Sequence, residues 1–182
     1  MSVLVVFGTT EGHTQKVAEK VKSILAELGE QVELYDCTRR PRDLDVKKFD
    51  AIIVAGSIHQ QRHQRSVENF VSAHLHELEA VPSALLSVSI SAAFKEGQKD
   101  AQSYVDELIK RTGWQTPQTL LVAGALKHSE YDYFMEQFVQ HVVLKGRHVD
   151  EMHGDYVFTD WDALSQFITS FADLVRTQKI SS

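Results

Sequence analysis

The chain has 182 residues, of which 43% are hydrophobic and 24% charged, with a formal net charge of −6. These values describe an ordinary globular protein, long enough for one full core and short for two, so a single domain over residues 1–182 is expected. The acidic balance, with no basic stripe interleaved with aromatics, excludes nucleic acid as a partner. Cys37 stands alone, which excludes a disulfide framework or thiolate metal cluster. No apolar run approaches the ~20 residues of a membrane span, and no charged leader precedes the first strand. The expected compartment is the cytoplasm.

Val3 to Phe7 form a short, β-branched apolar run, the pattern of a strand buried on both faces. Gly8-Thr9-Thr10-Glu11-Gly12-His13-Thr14 follows, and from Thr14 the positions Val17, Ala18, Val21, Ile24, Leu25 and Leu28 repeat at helical spacing until Gly29. Strand, hydroxyl-rich loop and helix N-terminus together make an anion site, because the first-turn N–H groups lack intrahelical acceptors and the helix dipole adds positive potential. The loop lacks the Gly-Lys-Ser/Thr of a P-loop and the G-x-G-x-x-G of a dinucleotide fold. What remains is Thr9-x-x-Gly12-x-Thr14, able to hold a phosphate without a cation, although Glu11 argues against a phosphate unless its side chain points outward to water. An ordinary strand–loop–helix turn is the competing reading. The loop resembles that of the flavodoxin family, which holds the phosphate of FMN in this way.

Gln31–Asp36 reads as a second strand near an edge. Cys37 precedes Arg39, Arg40 and Arg42, but a phosphatase Cys-x5-Arg would need arginine at Asp43, so Cys37 is expected to be a packed strand-end residue. Ala51–Gly56 is a further apolar strand. Val67, Phe70, Val71, Leu75 and Leu78 then predict one helix ending before Pro82. Ala84–Val88 is the next strand, Tyr104 to Ile109 lie on a helix closed by Gly113, and Thr119–Gly124 is the last strand. Trp161, Leu164, Phe167, Ile168, Phe171 and Leu174 mark an amphipathic C-terminal helix. This alternation predicts an α/β fold, a doubly wound five-stranded parallel sheet of order 2-1-3-4-5 with helices on both faces. The loops after Phe7, Gly56 and Val88 would converge at its switch point. A response-regulator receiver shares that order, but Phe7-Gly8-Thr9 offers none of its carboxylates.

The set of first loop, Gly56-Ser57-Ile58, Ala123-Gly124-Ala125-Leu126 and Thr159-Asp160-Trp161 resembles one flavodoxin-like subgroup, the menaquinone-dependent protoporphyrinogen IX dehydrogenase family of haem synthesis. The resemblance implies an FMN oxidoreductase acting on a porphyrinogen, with a quinone as acceptor. By it, Thr9, Thr10, Glu11, Gly12, His13 and Thr14 would wrap the FMN phosphate. Ser57, Ile58, His59, Gln60 and Gln61 would border one edge of the ring, and Ser89, Ile90, Ser91 and Ala92 the other. Gln60 and Gln61 stand where that family often has an aromatic residue or glycine, and the Tyr131–Asp155 segment is more acidic than the family's. Two other readings stay open: an electron carrier that docks basic partners through an acidic face, and an NAD(P)H:quinone reductase.

Tyr131, Phe134, Phe138 and Val142 share a helix face that could pack in the core, join a homo-oligomer or touch the inner membrane surface peripherally. His128, His141, His148 and His153 lack ligand spacing, and His59 and His63, four apart, precede a helix, so no metal is expected. Either of the latter two histidines could donate a proton beside the flavin.

Overall fold

The computed structural model describes residues 1–39, 44–116, 118–126, 150–152 and 155–181. Its sheet is built around β1 (Ser2–Gly8), whose residues are buried from Val3 onward. Val3, Val5 and Phe7 enter one core and Leu4 and Val6 the other, the period-2 alternation of a strand covered on both faces. Parallel pairing places β2 (Gln31–Asp36) on one side of β1 and β3 (Ala51–His59) on the other. Outward from β3 lie β5 (Ser83–Ser89) and β6 (Gln118–Ala123). The observed order β2-β1-β3-β5-β6 is the expected 2-1-3-4-5, because the intervening β4 (Arg62–His63) is a two-residue strand outside the parallel set.

The first core is closed by α1 (His13–Glu27) and the C-terminal α5 (Trp161–Ser181). Both bury regular stripes, Val17, Ala18, Val21 and Leu25 from α1 and Leu164, Ile168, Phe171 and Val175 from α5. Helix α1 ends as its sequence dictates. Gly29 takes φ +82°, and Glu30 N–H reaches back to Leu25 O at 2.9 Å, a Schellman closure. The second core lies under α2 (Arg65–Ala73), α3 (Leu75–Ala80) and α4 (Gln98–Thr112), with Trp114 at its floor. Each fully buried branched side chain contributes roughly 1.5–3 kcal/mol, so the two sets of helices clamp the sheet rather than decorate it.

Three expectations are corrected. The single helix from Val67 to Leu78 is two, because His74 leaves helical geometry at φ −119°. Its ring packs 4.6 Å from that of Phe70, and its carbonyl starts α3 by accepting from Leu78 N–H at 2.9 Å. The residues around His59 and His63 form a β-hairpin between β3 and β4, not a loop. The strand at Gln118–Ala123 is not the last. Beyond it β7 (Ala125–Leu126), β8 (Asp150–Met152) and β9 (Asp155–Val157) form a small antiparallel sheet of order β7-β9-β8. The expected aromatic helix face from Tyr131 to Val142, and His128, His141, His148 and His153, lie outside the described residues. Among the described residues no helix is long and apolar enough to cross a membrane.

Candidate functional site

At the carboxyl ends of β1, β3 and β5 the sheet opens into a cavity of about 250 Å³. This is the switch point, where the chain departs from β1 to one face and from β3 to the other, leaving a crevice between the loops. Its walls are Thr9, Thr10, Glu11, His13 and Thr14 from the first loop, Ser57 to Gln60 from β3 and its turn, and Val88 to Ile90 from β5. Gly124 and Ala125 complete the lining; these two and Val88 were not expected as site residues. The signal for them was present, since the apolar end of β6 points to the same edge as that of β5.

The first loop is shaped by one hydrogen bond and one glycine. Thr9 Oγ1 accepts from Gly12 N–H at 2.8 Å, and Gly12 takes φ +89°, turning the chain into α1. The Thr9 hydroxyl proton is thereby left for an acceptor in the cavity. Thr14 is buried, whereas Glu11 is exposed. Among the described residues the cavity lining contains no lysine or arginine. Thr10 is held from α2's side by the Gln64 side-chain amide, a partner the sequence did not announce.

His13 also lines the cavity. Its Nε2 lies 2.8 Å from Thr159 Oγ1, and that hydroxyl donates to Ala123 O at 2.6 Å. Trp161 sits beside the ring, 6.2 Å between centroids. Burial, with Lys16 nearby, pushes the His13 imidazole down to about 4.

The second wall is the β3–β4 hairpin. Ile58 pairs with His63 and His59 with Arg62, so Gln60 and Gln61 form the turn, both at positive φ (+50° and +62°). A two-residue turn with both centres left-handed is the type that matches strand twist, but asparagine and glycine usually occupy it. His63 is buried beneath the hairpin, and neither ring nitrogen closes a hydrogen bond. Burial lowers it to about 4, against smaller opposing pulls from Glu68 and the Tyr104 backbone. Next to it Arg62 and Arg111 both pair with Glu68. Burial works against that carboxylate, yet the two arginines hold it below its usual range.

A second cavity, about 400 Å³, shares Ile58, Gln60, Ser89 and Ile90 with the first. It continues past Gln61, Ser91, Glu96, Gly97, Asp100 and Tyr104. Gly97 is required there, because a Cβ on it would collide with the Ser91 carbonyl. Of the expected site residues, then, Gln61 and Ser91 line the second cavity and not the first. Gly12 shapes the loop without lining either. Ala92 lines neither; it faces the groove over β6 with Ala163 and Phe158, and its N–H is held by Ser89 Oγ at 3.2 Å. Among the described residues no cluster of three or more His, Cys, Asp or Glu could hold a metal ion. Cys37 is packed at the end of β2 as expected, its thiol pushed by burial up to about 11.

A doubly wound sheet with an anion-seating loop at its switch point and a cleft beside it defines a mononucleotide-binding α/β protein. Residues 4–151 match the flavodoxin domain model, and the chain belongs to that family. It is 25% identical over 175 residues to a protein of Escherichia coli named protoporphyrinogen IX dehydrogenase (quinone), covering 96% of each chain. A Leishmania major protein of the same name is 25% identical over 174 residues, covering 94% of this chain and 74% of that one. Among solved structures the fold resembles a short-chain flavodoxin associated with a bacterial microcompartment, with TM-score 0.58, 13% identity, and 96% and 99% of the two chains covered. It also resembles a flavodoxin from the domain Archaea, with TM-score 0.53, 14% identity, and 97% and 99% covered.

Family membership supports FMN as the cofactor, and the residues present fit it. Thr9, Thr14 and the first-turn N–H groups of α1 are donors suited to a phosphate. Ile58, His59 and Gln60 on one side and Ser89 and Ile90 on the other line the cleft in which a flat ring would lie. The bound flavin would supply hydride and one-electron chemistry, and the protein places it and excludes water.

Proposed function

We propose that the protein is an FMN oxidoreductase that dehydrogenates protoporphyrinogen IX and passes the electrons to a quinone. The observation that carries this reading is the end-to-end match, 96% of each chain, to a relative bearing that activity in its name. In this reading Thr9 to Thr14 seat the phosphate, Ser57 to Gln61 flank one edge of the ring, and Ser89 to Ser91 flank the other. The second cavity supports a small-molecule partner, since about 400 Å³ of space adjoins the ring walls. A porphyrinogen or a quinone headgroup would approach the flavin from there. Self-association and peripheral membrane contact belong to the same proposal.

Purified protein should be yellow or turn yellow with FMN. The FMN-loaded protein should convert protoporphyrinogen IX to fluorescent porphyrin when menaquinone is supplied. Absence of that turnover in FMN-loaded protein overturns the reading. The net charge of −6 favours a second reading, an electron carrier docking a basic protein partner. Two well-separated one-electron potentials would support the carrier, and a single two-electron wave the enzyme. Reduction of bound FMN by NADH or NADPH would instead indicate a nicotinamide:quinone reductase.

A further inference from the structure

The phosphate end of the cavity has an electrostatic deficit. A phosphate monoester carries close to two negative charges at neutral pH, and among the described residues its seat contains the carboxylate of Glu11 but no lysine or arginine. Thr9, Thr14 and the helix terminus supply dipoles only. Among the described residues the cavity's bases are two histidines, His13 and His59, and they differ in one respect. His59 is exposed at the hairpin tip, while His13 is held by a hydrogen-bond chain.

That chain fixes a tautomer. Thr159 has one hydroxyl proton and spends it on Ala123 O at 2.6 Å, so toward His13 its oxygen can only accept. His13 Nε2 must therefore carry a proton, and in the neutral ring Nδ1 is the bare nitrogen. A second proton can enter only at Nδ1, without disturbing the Thr159 contact. Among the described residues, Lys16 on α1 disfavours the charged form, and Glu11 lines the same cavity. Thr159, ahead of α5, and Trp161, its first residue, are uncharged, while Asp160 caps α5 by accepting from Ala163 N–H at 2.9 Å.

We infer that His13 is the proton-coupled cation of the phosphate seat: neutral in the empty loop, it takes up a solvent proton at Nδ1 when a phosphorylated flavin binds. This rests on FMN being the ligand of the loop, and it makes His13 a residue that selects FMN over riboflavin. The low proton affinity of the empty site agrees, since burial beside Lys16 keeps the ring neutral until an anion arrives. The sign follows from linkage. A group whose proton affinity rises on binding strengthens the complex below its bound-state pKa, and that gain is lost as pH rises through it.

The test is a fluorescence titration of the apoprotein with FMN and with riboflavin from pH 5.5 to 8.5, for wild type and His13→Gln. Glutamine keeps an N–H for Thr159 and cannot take the proton. The phosphate's own titration cancels in the ratio of the two FMN dissociation constants, wild type over variant. That ratio is expected to rise at least about fivefold across the range, up to the tenfold per pH unit that one linked proton allows. Riboflavin should show no such trend. Calorimetry of the wild type at pH 7.5, in buffers of different ionisation enthalpy, should show net proton uptake with FMN and none with riboflavin, a readout independent of the variant's folding. A flat ratio, or uptake that persists in the variant, overturns the inference while leaving FMN binding intact. Failure of the wild type to bind FMN at any pH overturns the functional reading as well.

Discussion

The loop after β1 and the hairpin after β3 both set left-handed backbone at the cavity, at Gly12 with φ +89° and at Gln60 and Gln61 with φ +50° and +62°. In the loop the conformation is local, since glycine bears it without a Cβ and Thr9 pins it by a bond three residues long. In the hairpin two glutamines bear it at a cost of order 1 kcal/mol or more each, so something outside the turn must impose it. The anchors are the His63 ring wedged against Gly56 and Val67, and the Arg62–Glu68–Arg111 pairing beside it. A seat for a fixed phosphate can be written in a few adjacent residues. A wall that must meet a flat ring is positioned from the core.

The largest expected effect comes from attacking those anchors. A Cβ on Gly56 would lie 2.8 Å from His63 Cδ2 and 3.2 Å from Val67 Cγ1. Gly56→Val should therefore displace the hairpin and destabilise the fold by about 3 kcal/mol, as overpacked cores do. Urea denaturation measures the loss. A Cβ on Gly12 would meet nothing within 4 Å, so Gly12→Ala strains only φ and should cost about 1–2 kcal/mol. Equal losses at the two glycines would abolish the distinction between a core-imposed and a locally written wall.

A smaller effect lies in acid. His63 is buried and neutral with its proton affinity lowered to about 4, whereas the unfolded chain protonates near 6.5. Between those values the unfolded state binds more protons, so stability falls as pH falls, by up to about 1.4 kcal/mol per unit for this one group. His13 adds a second such fall in the apoprotein. His63→Leu keeps the wedge apolar and should remove about half of the slope of urea stability between pH 6.5 and 4. Glu68 acts lower on the scale. Its arginine pairing, outweighing burial, contributes above the ordinary carboxylate range and is lost only as pH falls through the depressed folded value. An unchanged slope in His63→Leu would mean that the hairpin is not anchored through a neutral imidazole.

The same distinction separates what the sequence disclosed from what it hid. Apolar runs, helical spacing and the glycines at 29 and 113 announced the parallel sheet and most of its helices, because each is a short-range rule. The bend of the first loop was legible for the same reason: Thr9 and Gly12 are close in the chain and bond to one another. The hairpin was not, since Gln60-Gln61 carries no turn signature and its geometry comes from His63, Glu68 and Arg111 packing at a distance. Thr159 was read only as part of a motif opening the last helix, although 146 residues separate it from the His13 it fixes. His74 hid its bend because the helical phase runs unbroken through it.

The mildest substitution gives the sharpest form of the comparison. Gln60 and Gln61 are exposed, so replacing either with glycine removes little packing and relieves the left-handed strain. Glycine also loses more backbone freedom on folding, by roughly 0.5–1 kcal/mol, which offsets part of the relief. The net expectation is a gain of about 0.5–1 kcal/mol for Gln61→Gly in the apoprotein, opposite in sign to Gly12→Ala. The hairpin would then keep its shape while depending less on its anchors, so Glu68→Gln should destabilise the Gln61→Gly background less than the wild type. A double-mutant cycle by urea denaturation reads this directly, with a coupling of about 0.5 kcal/mol or more expected for residues sharing one strained element. Strict additivity would show that the turn holds its geometry unaided, and that the arginine pairing serves α2 and α4 alone.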